Sequence, residues 1–496
     1  FARPGFDWDV GVHYIGNVMD PAAKVRAAFD HVSEGRIRWE PMPEVYDDIR
    51  IADRAYEFRA GRERFREGLL QAFPREGRAL DRYLAAIAEV DAASFPFFTE
   101  KGVPPVVSQI AGSFMRAPFM RYAKRTTADV LADFTSNAEL AAVLTAQWGD
   151  YGLPPGRSSF GVHAITAMHY LAGGAFPVGG GAQIAASIVP VIEGAGGAVA
   201  VGAEVEQIVL DRAGRAVGVR VNDGREFRSS CIISDAGAAN TFERLLPSDL
   251  RRPRGHAEDL RAIGPSFGYV NLYVGLDASA AALGIRGSNL WVHPTNDHDA
   301  NCARFMADPS APFPMLFISF PSAKDPEFER RHPGHATIDI LTFVPYEWFA
   351  PWEATRWGHR GSDYGAFKEQ FARRLREELE RHVPAVRGHI VHAELSTPLS
   401  TRHFANYQSG EAYGLRATPE RFAFRGLRAQ TFVPQLYLTG HDVVMVGVVG
   451  ALFGGVVAAS AVLNRNLVSV VTKPFDRRVS PKARRPMTEA KLASRS

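Results

Sequence analysis

Cysteine is almost absent from this sequence, and neither sign of charge is in excess. Only Cys231 and Cys302 occur among the 496 residues, so neither a disulfide framework nor a CxxC motif can form. This usage is typical of a reducing compartment, and we expect a cytoplasmic protein. The net charge of +3 is close to balance and predicts no nucleic-acid partner.

Several catalytic motifs are also missing. The sequence contains no HExxH, no Cys/His cluster with metal-ligand spacing, no GxSxG and no Walker-type glycine loop. These absences argue against metal-dependent, serine-hydrolase and nucleotide-hydrolysing activities, and we predict no metal site. A GxGxxG fingerprint after an N-terminal strand is missing too. Because the chain begins at Phe1 with strand-and-turn material, we expect an upstream βαβ unit to precede it.

The long uncharged run at 443–463 supports two incompatible interpretations. It is long enough for a membrane-spanning helix, which needs about 20 apolar residues. Gly450 and Gly454 even provide the GxxxG spacing of membrane helix dimers. However, a short β-like segment (436–439) and a Gly-His-Asp turn (440–442) precede the run. This order is typical of α/β proteins that present backbone N–H groups to a phosphate-bearing cofactor.

The clearest strand signal lies in the middle of the chain. Residues 198–211, 216–221 and 226–234 are rich in β-formers and are joined by the turn signals RAGR and NDG. An apolar helix is predicted before them at 183–193, and Pro190 should kink it or end it early. A strand that leads into another helix follows. This arrangement is typical of a dinucleotide-binding domain.

The remaining pattern predicts a second sheet and a helical region. Three apolar segments predict the strands of that sheet: 268–276, 314–320 and 336–344. A strand-like stretch at 49–59 is followed by helical patterns at 63–73, 75–90 and 130–148. We interpret residues 26–169 mainly as a helical cap. Residues 364–383 predict an amphipathic helix, because apolar residues recur there at i+4 spacing.

Five segments in chain order resemble the flavin-dependent carotenoid and retinoid oxidoreductases. They are GFDWDVGVHYIG (5–16), WGDYGLPPGRSSFGVHAITAMHYLAGGAFPVGGG (148–181), EGAGGAVAVGAEVEQI (193–208), GEAYGL (410–415) and LYLTGHDVVMVGVVGALFGG (436–455). The resemblance is greatest to the retinol saturase (all-trans-retinol 13,14-reductase) branch, and phytoene desaturases and carotenoid isomerases come next. Each segment alone is a weak signal, but the set is specific.

The resemblance implies that FAD binds along the C-terminal strand, turn and helix. Asp442 would be the polar anchor of the flavin, beside Gly440 and His441. The family usually has Gln where this chain has His441. Backbone N–H groups at the helix start would face the cofactor, and they belong to Gly447, Val448, Val449 and Gly450. The alternative interpretation is a tail-anchoring membrane span, which the basic residues from Arg465 onward would suit.

Two further cofactor contacts follow from the resemblance. Val205 would contact the adenine through its backbone, and the alternative is an ordinary residue of a strand core. The PxGG turn would lie beside the cofactor and the substrate, and it comprises Pro177, Gly179 and Gly180. Glycine permits such a close backbone approach, but a plain helix-entry loop would have the same composition.

An aromatic and histidine-rich set is predicted on the substrate side of the flavin. Reducing or desaturating a polyene needs hydride exchange with the flavin and a proton exchanged at the neighbouring carbon, which Tyr or His could supply. The catalytic candidates are His13, His169 and Tyr170. The substrate-binding candidates are Trp148, Tyr151, His163 and Tyr413. For each residue alone, a packed ring or a His bonded to backbone is the alternative.

The implied fold is a two-domain α/β flavoprotein of the amine oxidase and phytoene desaturase type. A discontinuous, Rossmann-like FAD domain would comprise 1–25, 170–262 and 428–466, without its N-terminal βαβ unit. The substrate domain would combine the mixed sheet of 263–427 with the helical cap. Residues 467–496 are basic and poor in apolar side chains, so we predict a disordered tail.

The implied function is FAD-dependent reduction or desaturation of C=C bonds in a retinoid, carotenoid or related isoprenoid lipid. NAD(P)H is a candidate electron source. A flavin-dependent carotenoid isomerase and a non-enzymatic prenyl-lipid carrier of the same fold are the alternatives. Because such lipids reside in membranes, peripheral membrane association is a further hypothesis, whereas the sequence leaves the oligomeric state open. Without the upstream βαβ unit, we expect residues 1–496 to bind flavin weakly or not at all.

Overall fold

The computed structural model describes residues 1–476, so most of the predicted tail, 477–496, lies outside the described residues. The helices are α1 (Lys24–Ser33), α2 (Arg62–Ala72), α3 (Gly77–Glu100), α4 (Pro105–Ala123), α5 (Thr127–Ala132), α6 (Ala138–Leu144), α7 (Phe160–Tyr170), α8 (Ala182–Gly194), α9 (His256–Ile263), α10 (His298–Ala307), α11 (Pro321–Lys324), α12 (Phe328–Arg331), α13 (Gly361–His382), α14 (Pro398–Ala405), α15 (Pro419–Ala423), α16 (Gly447–Leu463) and α17 (Val468–Val471). A 3₁₀ turn at Ala146–Asp150 and a π-helical turn at Asn240–Leu245 add to them.

The strands are β1 (Ala2–Arg3), β2 (Phe6–Asp7), β3 (Ile15–Gly16), β4 (Trp39–Pro41), β5 (Val45–Ile51), β6 (Arg54–Arg59), β7 (Gly174–Pro177), β8 (Val205–Leu210), β9 (Ala216–Val221), β10 (Glu226–Arg228), β11 (Ile232–Ser234), β12 (Gly268–Leu276), β13 (Asn289–His293), β14 (Leu316–Ser319), β15 (Ala336–Val344), β16 (Ile390–Ser396) and β17 (Leu436–Leu438).

The largest sheet has seven strands in the order β16-β12-β15-β14-β13-β5-β6. Alternate residues of β12, such as Val270 and Leu272, are fully buried on one face. There they pack with Leu375 and Leu379 of α13, the amphipathic helix that the i+4 pattern predicts. The opposite face of β15 presents Asp339 towards the N-terminal segment and Phe343 towards a second hydrophobic core. The sheet therefore separates the α13 layer from the layer that contains the site described below.

A helical layer packs against that second face. The longest helix, α3, buries an apolar stripe and lies against α4 and α7. Aromatic contacts join these helices, since the rings of Phe97 and Phe119 lie 4.4 Å apart and Phe119 lies 5.6 Å from Phe422. These helices form much of the predicted cap, although β5 and β6 of the same region belong to the seven-stranded sheet.

The predicted cofactor-binding region forms a second, smaller assembly. Strands β8, β9 and β10 make the predicted antiparallel meander, and β11 pairs in parallel with β17. The chain then turns at 439–446 and enters α16. A parallel pair followed by a helix is the arrangement that the C-terminal pattern predicts for an α/β protein.

The glycines of α16 serve close packing within the chain. A Cβ added at Gly454 would lie 2.5 Å from the carbonyl oxygen of Gly440, and one at Gly450 would overlap the carbonyl of Met445. The GxxxG spacing thus lets α16 pack against the turn that precedes it. Within residues 1–476, no helix combines the length and the apolar character that crossing a bilayer requires.

Replacing Gly454 by alanine is therefore expected to lower the free energy of unfolding by about 1–3 kcal/mol, the usual cost of overpacking. The neighbouring Gly455→Ala is the matched control, because its added Cβ would meet nothing within 4 Å. Alanine should there be neutral or stabilise the helix by up to about 1 kcal/mol. Chemical denaturation of both variants compares the two positions. Equal stabilities would contradict the packing role of Gly454.

Several sequence predictions need correction. The predicted strand 198–211 forms only at Val205–Leu210, because within residues 1–476 no strand pairs with 198–204 and an isolated strand leaves its backbone unpaired. The segment predicted at 226–234 divides into β10 and β11, which join different sheets. Pro190 lies inside α8 without ending it early. Finally, the start of the predicted tail contains α17, whose Val468 is buried.

Candidate active site

An extended cavity lies where the N-terminal segment meets α3, α7 and the start of α16. It holds about 1310 Å³ of empty space, including its opening to solvent. Its walls come from 11–15 and Asn17, from Asp91, Ser94, Phe95, Phe98 and Thr99 on α3, from Ile165, Thr166, His169 and Tyr170 on α7, and from 444–450, Phe453 and Val457. Asp150 and Tyr413 also line it. Three of the five resembling segments therefore contribute walls to one cavity, and a fourth contributes Tyr413.

His169 holds the N-terminal segment against α7. The backbone N–H of Gly16 donates a hydrogen bond to His169 Nε2 at 2.8 Å. A Cβ at Gly16 would overlap the carbonyl of His169, so only glycine allows this approach. Burial lowers the pKa of His169 to about 4, which leaves the ring neutral at pH 7. His169 lines the cavity as predicted, but its Nε2 is occupied as an acceptor.

The other two catalytic candidates also line the cavity. The rings of Tyr170 and Tyr14 stack with centroids 4.0 Å apart and nearly parallel planes. His13 Nδ1 lies 3.8 Å from Asp339 Oδ2. Burial, and then the nearby Lys324 cation, lower the pKa of His13 to about 3, so this imidazole is also neutral. The structure brings all three candidates together, and their catalytic roles stay predictions.

The start of α16 presents an uncompensated helix end to the cavity. Val446 occupies the N-cap position without a side-chain cap, and the first turn contains no acidic residue. Gly447 has a positive φ of 81° and open space where a Cβ would be. The backbone N–H groups of the first turn, which include the predicted Val448, Val449 and Gly450, thus lie at the cavity wall. Such a helix end suits a negatively polarised group.

Asp442 lies behind this wall. Its Oδ2 accepts from the Ala238 N–H at 2.8 Å and its Oδ1 from the Leu415 N–H at 3.0 Å. The buried Arg421 guanidinium lies 4.0 Å from the same carboxylate. Asp442 borders a neighbouring cavity beside Gly237 and Tyr407, not the main one. Its carboxylate fixes the turn that leads to α16, and a flavin contact stays a prediction.

The other residues of this turn have structural contacts. Gly440 adopts a positive φ of 85°, and a Cβ there would overlap the Asp235 carboxylate. His441 Nε2 lies 3.1 Å from the Tyr407 hydroxyl. Burial is the main cause that lowers the pKa of His441, so the imidazole stays neutral beside Asp442. The ring can therefore accept the Tyr407 O–H hydrogen bond.

The PxGG turn and Val205 lie apart from the main cavity. The turn follows β7, where Pro177 pairs with Trp39, and the Gly179 N–H donates to Asp325 Oδ1 at 3.0 Å. Gly180 follows with a positive φ of 91°. Val205 begins β8 and pairs with Val221. Neither segment is among the residues that line the main cavity, so their cofactor contacts stay predictions.

Three of the four predicted substrate residues belong to the core. Trp148, Tyr151 and His163 have at most 3% of their surface exposed. The two nitrogens of His163 meet the hydroxyls of Tyr83 and Tyr151 at 3.1 and 3.2 Å. This imidazole between two tyrosines organises the packing around α7. Of the predicted substrate residues, Tyr413 is the one that the structure places at the cavity.

Sequence reasoning missed two parts of this site. Phe95 and Phe98 of α3 line the cavity, although they lie in the region interpreted as a cap. Asp150 also lines it, and the WGDYG segment contained a signal, since an acid stands there among aromatic residues. The residues present fit a flavin, because the open end of α16 faces a cavity with apolar and aromatic walls.

Comparison with known proteins finds relatives that match along most of the chain. No protein-family model matches the sequence. The chain is 33% identical to an all-trans-retinol 13,14-reductase of Danio rerio over 94% of the chain and 80% of that protein. It is 34% identical to the Homo sapiens protein of that name, over 97% of the chain and 81% of that protein. A prolycopene isomerase of Arabidopsis thaliana is 30% identical, over 58% of the chain and 45% of that protein.

Solved structures share the fold at low sequence identity. An oxidoreductase from Methanosarcina mazei has a TM-score of 0.55 and 14% identity, and covers 92% of this chain and 88% of its own. A putrescine oxidase has a TM-score of 0.54 and 13% identity, and the match covers 91% of this chain and 87% of that protein. These neighbours confirm the two-domain fold that the sequence predicts. The identity to the retinol reductases over most of both chains shows that the protein belongs to the all-trans-retinol 13,14-reductase family.

Proposed function

We propose that the protein is an FAD-dependent oxidoreductase that reduces a C=C bond of a retinoid or a related isoprenoid lipid. The observation that supports this most strongly is the cavity itself. It joins the open N-terminus of α16 to a wall of aromatic and aliphatic side chains. A redox cofactor and a polyene need these two environments side by side.

Different residues of this cavity would hold the cofactor and bind the substrate. The backbone N–H groups of the first turn of α16 would hold the flavin, which supplies a hydride when bound. Phe95, Phe98, Phe453 and Val457 provide an apolar lining that would bind the polyene and exclude water. We propose that 1–25, 170–262 and 428–466 form the flavin domain, while 26–169 and 263–427 enclose the substrate. NAD(P)H is the proposed source of electrons.

Product analysis tests the reaction. The purified protein is saturated with FAD, reduced under anaerobic conditions and mixed with all-trans-retinol. Reduction predicts a product two hydrogens heavier than the substrate. A product of unchanged mass but altered double-bond geometry would support the isomerase alternative. One relative of the chain is named a prolycopene isomerase. Protein that binds retinol but forms no product when it is saturated with reduced FAD would support a lipid carrier and contradict the proposal.

We also propose that the protein is cytoplasmic and attaches to a membrane through α4. Ile110 and Phe114, one turn apart, are 82% and 87% exposed, and Val106 continues the same face. The exposed Lys124 follows α4 directly and adds a positive charge that an anionic lipid surface would attract, whereas the arginines of 101–125 form ion pairs with acids. Val107 lines a smaller cavity that shares Thr99, Val457 and Val468 with the main cavity. A lipid could thus reach the site from the membrane.

Flotation with vesicles that contain anionic lipid tests this surface. The wild-type protein should float with the vesicles, and Ile110→Glu with Phe114→Glu should lose most of the bound fraction. The matched control is Trp357→Glu with Phe404→Glu, an exposed aromatic pair outside α4 that should leave binding unchanged. A wild-type protein that stays unbound, or an α4 variant that floats like the wild type, would contradict the proposal.

A further inference from the structure

A chain of buried polar groups runs from the cavity wall into the seven-stranded sheet. Tyr14 Oη lies 2.8 Å from Asp150 Oδ2 and 3.2 Å from Asp47 Oδ2. Asp47 lies in β5 and is fully buried. Its carboxylate also accepts from Gln147 Nε2 at 2.6 Å and from Asn289 Nδ2 at 2.9 Å. Tyr14 therefore connects an acid at the cavity with an acid in the core.

The inner end of this chain is a buried cation. Lys324 has 4% of its surface exposed and donates from Nζ to the side chain of Asn289. It also donates to Ser319 Oγ at 2.8 Å and to the carbonyl of His13 at 2.9 Å. Asn289 thus bridges Lys324 and Asp47. Below its pKa of about 7, Lys324 carries a positive charge that balances the negative charge of Asp47 inside the sheet.

Asp150 alone among these acids reaches the cavity. It ends the 3₁₀ turn Ala146–Asp150 and lines the cavity wall. Its Oδ2 is held by Tyr14, whereas Oδ1 makes no hydrogen bond within residues 1–476 and is absent from the fully buried polar atoms there. The free oxygen therefore has access to whatever the cavity binds. A carboxyl group held on one side and open on the other is arranged for proton transfer.

The surroundings of Asp150 favour its protonated form. Burial, and then the Asp47 carboxylate, raise the pKa of Asp150 well above its usual value, against the Tyr14 hydrogen bond and the Lys324 charge. Asp47 accepts hydrogen bonds from Gln147 and Asn289 and lies near Lys324, so burial raises its pKa only to about 6. The other titratable groups coupled to Asp150 are the tyrosines 46, 151, 170 and 413.

We propose that Asp150 is the proton donor of this site, and that Tyr14 and Asp47 are the residues that position it. The inference rests on the proposed function. Reduction of a C=C bond adds a hydride, supplied by the flavin, to one carbon. The Asp150 O–H bond then breaks, and its proton forms the new C–H bond at the other carbon with the former π electrons. The Asp150 carboxylate accepts the Tyr14 hydrogen bond and regains a proton from water after the product leaves.

The first test needs neither flavin nor turnover. An unfolded Asp150 loses its proton above a pH of about 4, whereas the folded residue keeps it. The wild-type unfolding equilibrium constant, divided by that of Asp150→Asn, should therefore rise by up to tenfold per pH unit between about pH 4 and the folded pKa. The exposed acid in Asp249→Asn is the control and should give a constant ratio. A constant ratio for Asp150 would overturn the proposal.

The second test measures the reaction with FAD-loaded protein. Asp150→Asn should lower kcat for retinol reduction by about 100-fold or more, the usual contribution of a general acid. The flavin spectrum and the retinol affinity should stay unchanged, and Asp150→Glu should recover part of the rate. Tyr14→Phe should reduce kcat less and shift its pH profile. If the wild type is active and Asp150→Asn reacts equally fast, the proton-donor role of Asp150 is wrong but the proposed function is not. An inactive wild type would overturn the proposed function and this inference together.

Discussion

Replacing Lys324 by methionine is expected to lower the free energy of unfolding by about 3–5 kcal/mol at pH 7, the usual cost of removing one partner from a buried charge network. Methionine has a similar length but cannot donate to Asn289, Ser319 and the His13 carbonyl. The Asp47 carboxylate would lose the cation that balances it. Denaturation in urea measures the loss. Lys124→Met, at an exposed position, is the control and should change stability by about 0.5 kcal/mol at most.

The deficit of this variant should grow with pH. Burial lowers the pKa of Lys324 to about 7 in the folded protein, below its value in the unfolded chain. Between these two pKa values the unfolded chain binds the additional proton, so the wild type gains stability as pH rises. The methionine variant lacks this gain. A deficit that is absent would show that the contacts of Lys324 do not stabilise the fold, and one that shrinks from pH 7 to pH 9 would show that the folded pKa does not lie below the unfolded value.

The second large effect is expected at Asp442. Asp442→Ala should lower the free energy of unfolding by about 3–5 kcal/mol, because it leaves the buried Arg421 guanidinium without a counter-charge. The N–H groups of Ala238 and Leu415 would also lose their acceptor. Asp442→Asn should lose less, since one amide oxygen can still accept a hydrogen bond. Thermal unfolding ranks the variants.

A nearby exposed acid provides the control for the buried carboxylate of Asp442. Asp235 lies in the adjoining loop and is exposed, so Asp235→Asn should stay within about 0.5 kcal/mol of the wild type. If Asp442→Ala were as stable as the wild type but lost its affinity for FAD, the residue would be a cofactor anchor, as the family resemblance implies. Loss of stability without FAD supports the structural role in the turn before α16.

Local patterns in the sequence predicted the sheets well where one face is buried. The segments 268–276 and 336–344 form strands with the predicted bounds, because alternating apolar residues fix which face turns to the core. Short strands such as β13 (289–293) and β16 (390–396) escaped prediction, since five to seven residues carry little periodicity. Helix α3 continues beyond the predicted end at 90 and includes Pro96, where tertiary burial outweighs helix propensity.

The sequence predicted segments that line the cavity, but it did not predict the buried polar network behind them. The segments around 13 and 447 carried recognisable motifs, and both line the cavity. The network of Asp150, Tyr14, Asp47 and Lys324 joins positions far apart in the chain. No local spacing in the sequence relates such positions. They meet because β5 pairs with β13 in the sheet, and because Lys324 of α11 donates to Asn289 of β13. The sequence therefore indicated the chemistry of the site without its proton donor.

The proposed function requires that a reduced flavin and a polyene meet in this cavity. The most direct measurement is a single anaerobic turnover, in which FAD-loaded protein is reduced, mixed with one equivalent of all-trans-retinol and followed by absorbance. We expect the spectrum of oxidised flavin to return at the rate at which the polyene absorbance of retinol disappears. Flavin that stays reduced while the retinol absorbance persists would contradict the proposed function.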